Sequence, residues 1–445
     1  RIDDEGLTAN YKGTDHIGKL GIEGAYEKEL HGVTGSEQVE IDAGGRAIRA
    51  LSRSEPLSGN NLVVTLDLKL QKIAEDAFQE YKGALVAIDP KTGEILALVS
   101  KPDFDPNLFV DGIDPQNWDA LNNSPDKPLN NRALRGQYPP GSTIKPFMAL
   151  AALEYKKRSP EFTISDPGYF SLPGVAHRYR DWKKGGHGLV NLHKSLVISC
   201  DTYYYGLANE LGIDAIHTFL TRFGFGARTG IDIDGELAGL APSQDWKWQR
   251  FKQKWYAGDT VSVGIGQGYL LTTPLQLAAA TATIANGGFP VHPRLLKAVQ
   301  DAKTQEVREI VPAAGKETAV VKPENIALVR AAMIDVTRPG GTAAATGQGA
   351  AYEIAAKTGT AQVVGMKQGE RYDEKRLKQE HWDHALLIAF APADDPKLAL
   401  AILVENGKHG GTTAGPIARA VFDYYLTGKK PALKPLDPGD DEEHD

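Results

Sequence analysis

The chain has a single cysteine, Cys200, in 445 residues, so an intramolecular disulfide is excluded and cysteine usage says nothing of compartment. It also lacks any run of about 18 apolar residues, which excludes a helix that spans a bilayer. It has no basic surplus: 50 Lys and Arg stand against 57 Asp and Glu, a net charge of −7. That balance, with no basic run, argues against nucleic acid as a partner, since such binding works by counterion release. What is there is ordinary for a globular protein, 41% hydrophobic and 24% charged, with length for two or three domains. The chain opens at Arg1 without an initiator methionine or a signal peptide, and the expectation is a piece of a longer protein, with any membrane anchor upstream.

Residues 1–60 are rich in Gly, Glu and Lys and predict a small, irregular, β-containing module ending in a linker near "EPLSGNN". In "DLKLQKIAEDAFQEYKG" the apolar residues Leu70, Ile73, Ala74, Ala77, Phe78 and Tyr81 share one helical face. "GALVAIDPKTGEILALVS" predicts a β-hairpin, and "HALLIAFAPADDPKLALAILVENG" a second one near the other end. Strands at both ends with helical segments between them predict an α+β domain over 61–430, its antiparallel sheet completed by the two ends of the chain. Residues 431–445, Pro-containing and acidic, predict a disordered tail.

Three short stretches carry chemistry. In "YPPGSTIKPFMALAALEY" a Pro-Pro-Gly turn precedes a helical run, and Ser142 and Lys145 share a face of its first turn. A serine hydroxyl is a poor nucleophile until a neighbour takes its proton. Lys145 does so only when neutral, which needs its pKa moved from ~10.4 toward neutrality, roughly 4 kcal/mol of differential stabilisation; burial and a second cation supply such shifts. Alone, S-x-x-K is usually no more than a helix-capping serine. The second stretch is Ser199-Cys200-Asp201, and the third is Lys357-Thr358-Gly359-Thr360 within an apolar strand pattern, where Gly permits close approach of a ligand or backbone. Alone, most K-T-G matches are an edge strand with a solvated lysine. In this order, on a helix, a loop and a strand, the three form the motif set of active-serine, penicillin-recognising enzymes.

With these motifs, "NRALRGQYPPGSTIKP", "WYAGDTVSVGIGQGYLLTTPLQLAAATATIANGG" and "KTGTAQV", the chain resembles class B penicillin-binding proteins over nearly its whole length. The elongation-specific penicillin-binding protein 2 group of Gram-negative bacteria is the nearest likeness. The resemblance implies the penicillin-binding, serine β-lactamase-like transpeptidase fold, with an antiparallel sheet, helices on its faces and an inserted helical subdomain. Residues 1–60, through "HIGKLGIEGAYEKELHGVTG", are similar to the end of the family's pedestal module. The implied activity is a peptidoglycan D,D-transpeptidase that cross-links stem peptides during elongation and rod-shape maintenance and is inhibited by β-lactams. By the same likeness Ser142 is the nucleophile, Lys145 the acylation base, and Ser199 a proton relay, with Lys357 keeping the site electropositive. The N–H groups of Ser142 and Thr360 form the oxyanion hole, and the Thr358 and Thr360 hydroxyls, flanking Gly359, hold the substrate or β-lactam carboxylate. Gly266-Gln267-Gly268 matches the family's G-Q-G element and is read as a tight turn flanking the site.

The wider family has Asn where this chain has Asp201, and a carboxylate cannot donate to a substrate carbonyl; it is expected as a partner of Lys145 or Lys357. Asp166, Asp181, His187 and Cys200 are of types that suit tetrahedral zinc, and the likeness implies a structural zinc site made of such a set, with no cofactor required for the chemistry. Cys200 is expected to face away from the cleft. His381, Asp383 and His384 in "EHWDH" are expected to be surface residues. A membrane-embedded glycan polymerase and other elongation-complex proteins are the implied partners, and a periplasmic domain on an N-terminal inner-membrane helix the implied location. A serine β-lactamase, a D,D-carboxypeptidase and a non-catalytic β-lactam sensor or scaffold remain as alternatives; no E-x-x-L-N stretch of the class A lactamase kind lies between the second and third motifs.

Overall fold

The computed structural model describes residues 10–11, 16–310, 319–363 and 378–431; the tail expected over 431–445 lies almost wholly outside them. In chain order the strands are β1 Ser36–Ile41, β2 Ala47–Ser54, β3 Asn61–Val64, β4 Gly83–Ile88, β5 Ile95–Lys101, β6 Ile164–Asp166, β7 Tyr169–Ser171, β8 Arg178–Arg180 and β9 Gly188–Val190. Then follow β10 Leu296–Gln300, β11 Val307–Glu309, β12 Ala355–Ala361, β13 His384–Ala391 and β14 Leu398–Val404.

The central sheet has five strands in the order β12-β13-β14-β4-β5, antiparallel throughout. Both expected hairpins form, β4–β5 and β13–β14, and they join where Ile402 faces Leu85. The alternation of each strand feeds two cores. Val86, Ile88, Leu386, Ile388 and Leu403 face the buried helix Pro274–Ala285. Leu85, Ala87, Leu387, Leu400 and Ile402 face the helices Leu68–Ala77 and Gly415–Thr427, through Leu70, Ala74, Phe78, Ile417 and Val421. Strands buried on both faces read as continuous apolar runs, which is why β4 and β14 carry no polar residue. The helix Leu68–Ala77 starts on Asp67, whose carboxylate caps the Lys69 and Leu70 N–H groups.

The expected helical insertion lies between β5 and β12. Its helices Lys145–Glu154, Leu192–Val197, Asp201–Leu211 and Ala257–Gly264 carry or flank the first two motifs. Within residues 1–60, β1 and β2 form an exposed two-stranded antiparallel hairpin with two irregularities of register. Tyr26 Oη donates to Asp232 Oδ2 at 2.7 Å, tying this module to the larger domain. Among the described residues no helix is long and apolar enough to cross a membrane.

Candidate active site

Ser142 lies in a 3₁₀ turn, Gly141–Ile144, that runs directly into the helix starting at Lys145. Three stretches of backbone meet here almost without side chains. The Gly141 N–H donates to the Gly266 carbonyl at 3.0 Å, and Gly141 has φ +53°. A Cβ on Gly141 would lie 2.4 Å from the Thr360 oxygen, and one on Gly266 2.2 Å from the Gly141 oxygen. Only glycine accepts both the left-handed backbone and the contact. Gln267 Nε2 reaches past the turn to donate to the Thr360 carbonyl at 3.1 Å. This makes the G-Q-G turn a clamp on the K-T-G strand as well as a flank.

β12 is the edge strand of the sheet. In an antiparallel strand the N–H and C=O of one residue point to the same side. Because the Thr360 carbonyl faces Gln267 and the Ser142 turn, its N–H faces that turn too.

The two lysines meet at Ser199. Lys145, fully buried, spends its three N–H groups on Ser199 O at 2.7 Å, Asp201 Oδ1 at 2.6 Å and Ser199 Oγ at 3.2 Å. Lys357 is also fully buried, against the alternative of a solvated lysine, and lies 2.8 Å from Ser199 Oγ and 3.0 Å from the Thr358 carbonyl. Burial first, and then the Lys145 charge, hold Lys357 well below an ordinary lysine, with Asp201 opposing. Asp201 pairs with Lys145, and burial nevertheless pushes its carboxyl up.

Ser199 has φ +57°, a conformation that costs a non-glycine residue about 1–3 kcal/mol and concentrates at functional sites. The turn sends Ser199 Oγ to the lysines and Cys200, fully buried, to the other side. There Cys200 Sγ donates to Asp166 Oδ2 at 3.5 Å, and His187 Nδ1 lies 2.9 Å from the same oxygen and 3.4 Å from Asp181 Oδ1. The Asp166, Asp181, His187 and Cys200 ligand atoms all fall within 4.8 Å of one another. Burial, then Asp181 and Asp166, push the Cys200 thiol up, and His187 Nε2 is buried without a hydrogen bond.

The "EHWDH" stretch corrects the sequence reading. His381 is exposed, but Asp383 is buried and accepts from the Val363 N–H at 3.1 Å. His384 opens β13, packs edge-on to Tyr138 at 5.5 Å and accepts from the Asn406 N–H. Pairing of β13 with the K-T-G strand draws both residues inward. Two further features carried no sequence signal. Thr342, in the Gly-rich "RPGGTAA", places Oγ1 2.7 Å from Thr358 Oγ1. Arg132 pairs with Glu405, which also accepts from Tyr138, in a largely buried network.

Residues 83–423 match the penicillin binding protein transpeptidase domain, and residues 3–64 the penicillin-binding protein dimerisation domain. The chain belongs to the penicillin-binding protein transpeptidase family. It is 49% identical over 429 residues to the peptidoglycan D,D-transpeptidase MrdA of Acinetobacter baumannii, covering 96% of this chain and 63% of that protein. For MrdA of Escherichia coli K12 the identity is 44%, over 96% of this chain and 67% of that protein. The chain thus spans about two thirds of the length of these curated relatives. The crystal structure of Pseudomonas aeruginosa PBP2 in complex with WCK 5153 superposes with a TM-score of 0.82 at 43% identity, over 95% of this chain and 85% of that one. PBP2 of Helicobacter pylori, in its complex with MreC, also gives 0.82, at 32% identity over 96% and 76% of the two chains.

Proposed function

We propose that this chain is the catalytic part of a peptidoglycan D,D-transpeptidase of cell-wall elongation, acylated and inhibited by β-lactams. The observation that carries this is the hydroxyl of Ser199 bridging two buried lysines beside Ser142. At rest the Lys145 N–H groups are directed at Ser199 and Asp201, so a lone pair for Ser142 has to be freed. A proton passing from Lys145 to Ser199 Oγ, as the Ser199 proton passes to Lys357, frees that lone pair without change of net charge. Ser142 then loses its proton to Lys145 and attacks the penultimate D-Ala carbonyl, whose oxygen is held by the Ser142 and Thr360 N–H groups. Collapse breaks the D-Ala–D-Ala amide, and the leaving amine takes a proton through Ser199. The amine of a neighbouring stem peptide attacks the acyl-enzyme, forming the cross-link and releasing Ser142. Thr358 and Thr360 hold the terminal carboxylate, with Gly359 between them leaving room at the catalytic turn; a Cβ there would meet Thr143 Cγ2 at 2.7 Å.

A fluorescent penicillin followed over time tests the reading. Stable label that is lost in Ser142→Ala is expected; rapid turnover would mean a lactamase, and absence of label a scaffold.

Asp166, Asp181, His187 and Cys200 fit a structural zinc ion. Two carboxylates and a thiol are packed together in the interior around one imidazole, a donor set and an accumulation of anionic groups that a divalent cation neutralises. When bound, the ion would brace the second-motif turn from behind and take no part in the acyl transfer. Elemental analysis of protein purified without chelator tests this, and folded, zinc-free protein of unchanged activity would overturn it. The same reading places the domain in the periplasm, on a membrane anchor preceding these residues. It gives the chain a membrane-embedded glycan polymerase and elongation-complex proteins as partners, in line with the complex between the H. pylori relative and MreC.

A further inference from the structure

Thr342 lies between the helix Pro323–Asp335 and β12, and backbone fixes it from two sides. Its N–H donates to the Val197 carbonyl at 3.3 Å, at the end of the helix leading into the second motif. Its own carbonyl packs so tightly on Gly411 that a Cβ there would lie 2.4 Å away. The residue therefore joins the wall of the second motif to the strand of the third. Its hydroxyl meets that of Thr358 at 2.7 Å, and Thr358 is itself buried.

Each hydroxyl has one proton to donate, and one bond joins the two. If Thr358 donates to Thr342, only lone pairs of Thr358 remain for a ligand, and these repel a carboxylate. If Thr342 donates to Thr358, the Thr358 proton is free, and a carboxylate, which only accepts, can take it. Bonds in such a chain polarise one another in the same sense.

Resting on the reading that Thr358 holds the terminal carboxylate, we propose that Thr342 is a positioning residue for anion recognition. It donates to Thr358 Oγ1 and so aims the Thr358 proton at the carboxylate of a D-Ala terminus or a β-lactam. The side chain sets ligand affinity through charge and leaves the acyl-transfer step to the lysine pair.

The test compares a penicillin with its methyl ester, which has the same ring and no carboxylate, and separates the binding constant from the acylation rate constant by stopped flow. In Thr342→Val the binding constant for the acid is expected to weaken about fivefold, the worth of one hydrogen bond. The ester should bind unchanged, and the acylation rate constant should stay within about twofold for both ligands. Thr342→Ser restores the acid, and Thr342→Ala, which adds no bulk, repeats the acid-only loss. In a Thr358→Val background the Thr342 substitution changes nothing further. Equal losses on acid and ester, or no loss on either, would overturn the role of Thr342 alone. Label that persists in Ser142→Ala would instead overturn the reading of the site.

Discussion

Asp201→Asn separates the charge of the second motif from its shape. Among the described residues Asp201 is the carboxylate hydrogen-bonded to the lysine pair, through Lys145 at 2.6 Å, and its charge also opposes the depression of Lys357. Asparagine keeps the acceptor oxygen and the size while removing the charge. Unit charges 4 Å apart at an effective dielectric constant near 20 interact by roughly 4 kcal/mol, which bounds the shift at about three pH units. Charges at this range move a pKa by about one to three units. The sign follows from which form the carboxylate favours. It stabilises ammonium, so without it Lys357, already held low by burial and by Lys145, falls further. In the acid range Lys357 is then less protonated at a given pH, and base-competent enzyme persists into more acid solution. The assay is the rate of acylation by a fluorescent penicillin from about pH 5 to 9, with circular dichroism as a check on folding. The acid limb is expected to move down by about one to three units. A limb that stays in place, or moves up, would refute the account in which this ion pair governs the proton inventory of the site.

Gly141→Ala puts a methyl group against the Thr360 carbonyl and would part the two proposed oxyanion donors; acylation should fall about 10²–10³-fold in a protein with an unchanged circular dichroism spectrum. Gln267→Ala removes the clamp on Thr360 and should slow acylation about fivefold with the binding constant unchanged, a loss that Gln267→Glu, having no donor, does not repair. Arg132→Met strands the Glu405 carboxylate and should cost about 3–5 kcal/mol by urea denaturation at neutral pH. In the native protein burial would raise Glu405, but Arg132 and Tyr138 outweigh it and hold the carboxyl low, so its contribution is present above the unfolded pKa and lost as pH falls through the folded one. Without Arg132 the folded pKa rises instead, so the deficit of the variant should shrink as acid protonates Glu405.

The sequence made the central sheet legible because apolar runs and their turns are local signals, and β4–β5 and β13–β14 form as expected. The catalytic motifs were legible for a related reason: Ser142 and Lys145 lie a single turn apart, and Ser199 and Asp201 bracket one residue. What the sequence left open depends on contacts between distant segments. The choice of Lys145 as partner of Asp201, the burial of Lys357, and the reach of Gln267 to Thr360 come from the stacking of three separate stretches of chain. Asp383 and His384 read as surface residues because their charge pattern is polar, and strand pairing overrides it. Thr342 lies in a Gly-rich loop whose composition carries no mark of the strand it touches.

The pairing of β4 with β14 sets the timetable by which this protein completes its central sheet. β4 comes well before its partner, which ends at Val404. During synthesis the hairpin β4–β5 must wait, with one apolar edge unpaired, while roughly three hundred further residues emerge, a wait of about 15–60 s at ordinary elongation rates. Sheets built from such distant partners fold slowly, and an unpaired apolar edge invites aggregation. The order β4-β14-β13-β12 also means that a chain stopped before Leu398 carries Ser142, Ser199 and Lys357 yet lacks the strand that joins the β12–β13 pair to the β4–β5 pair. The sheet therefore closes only when β14 arrives, and a truncation just before that strand leaves two unjoined pairs.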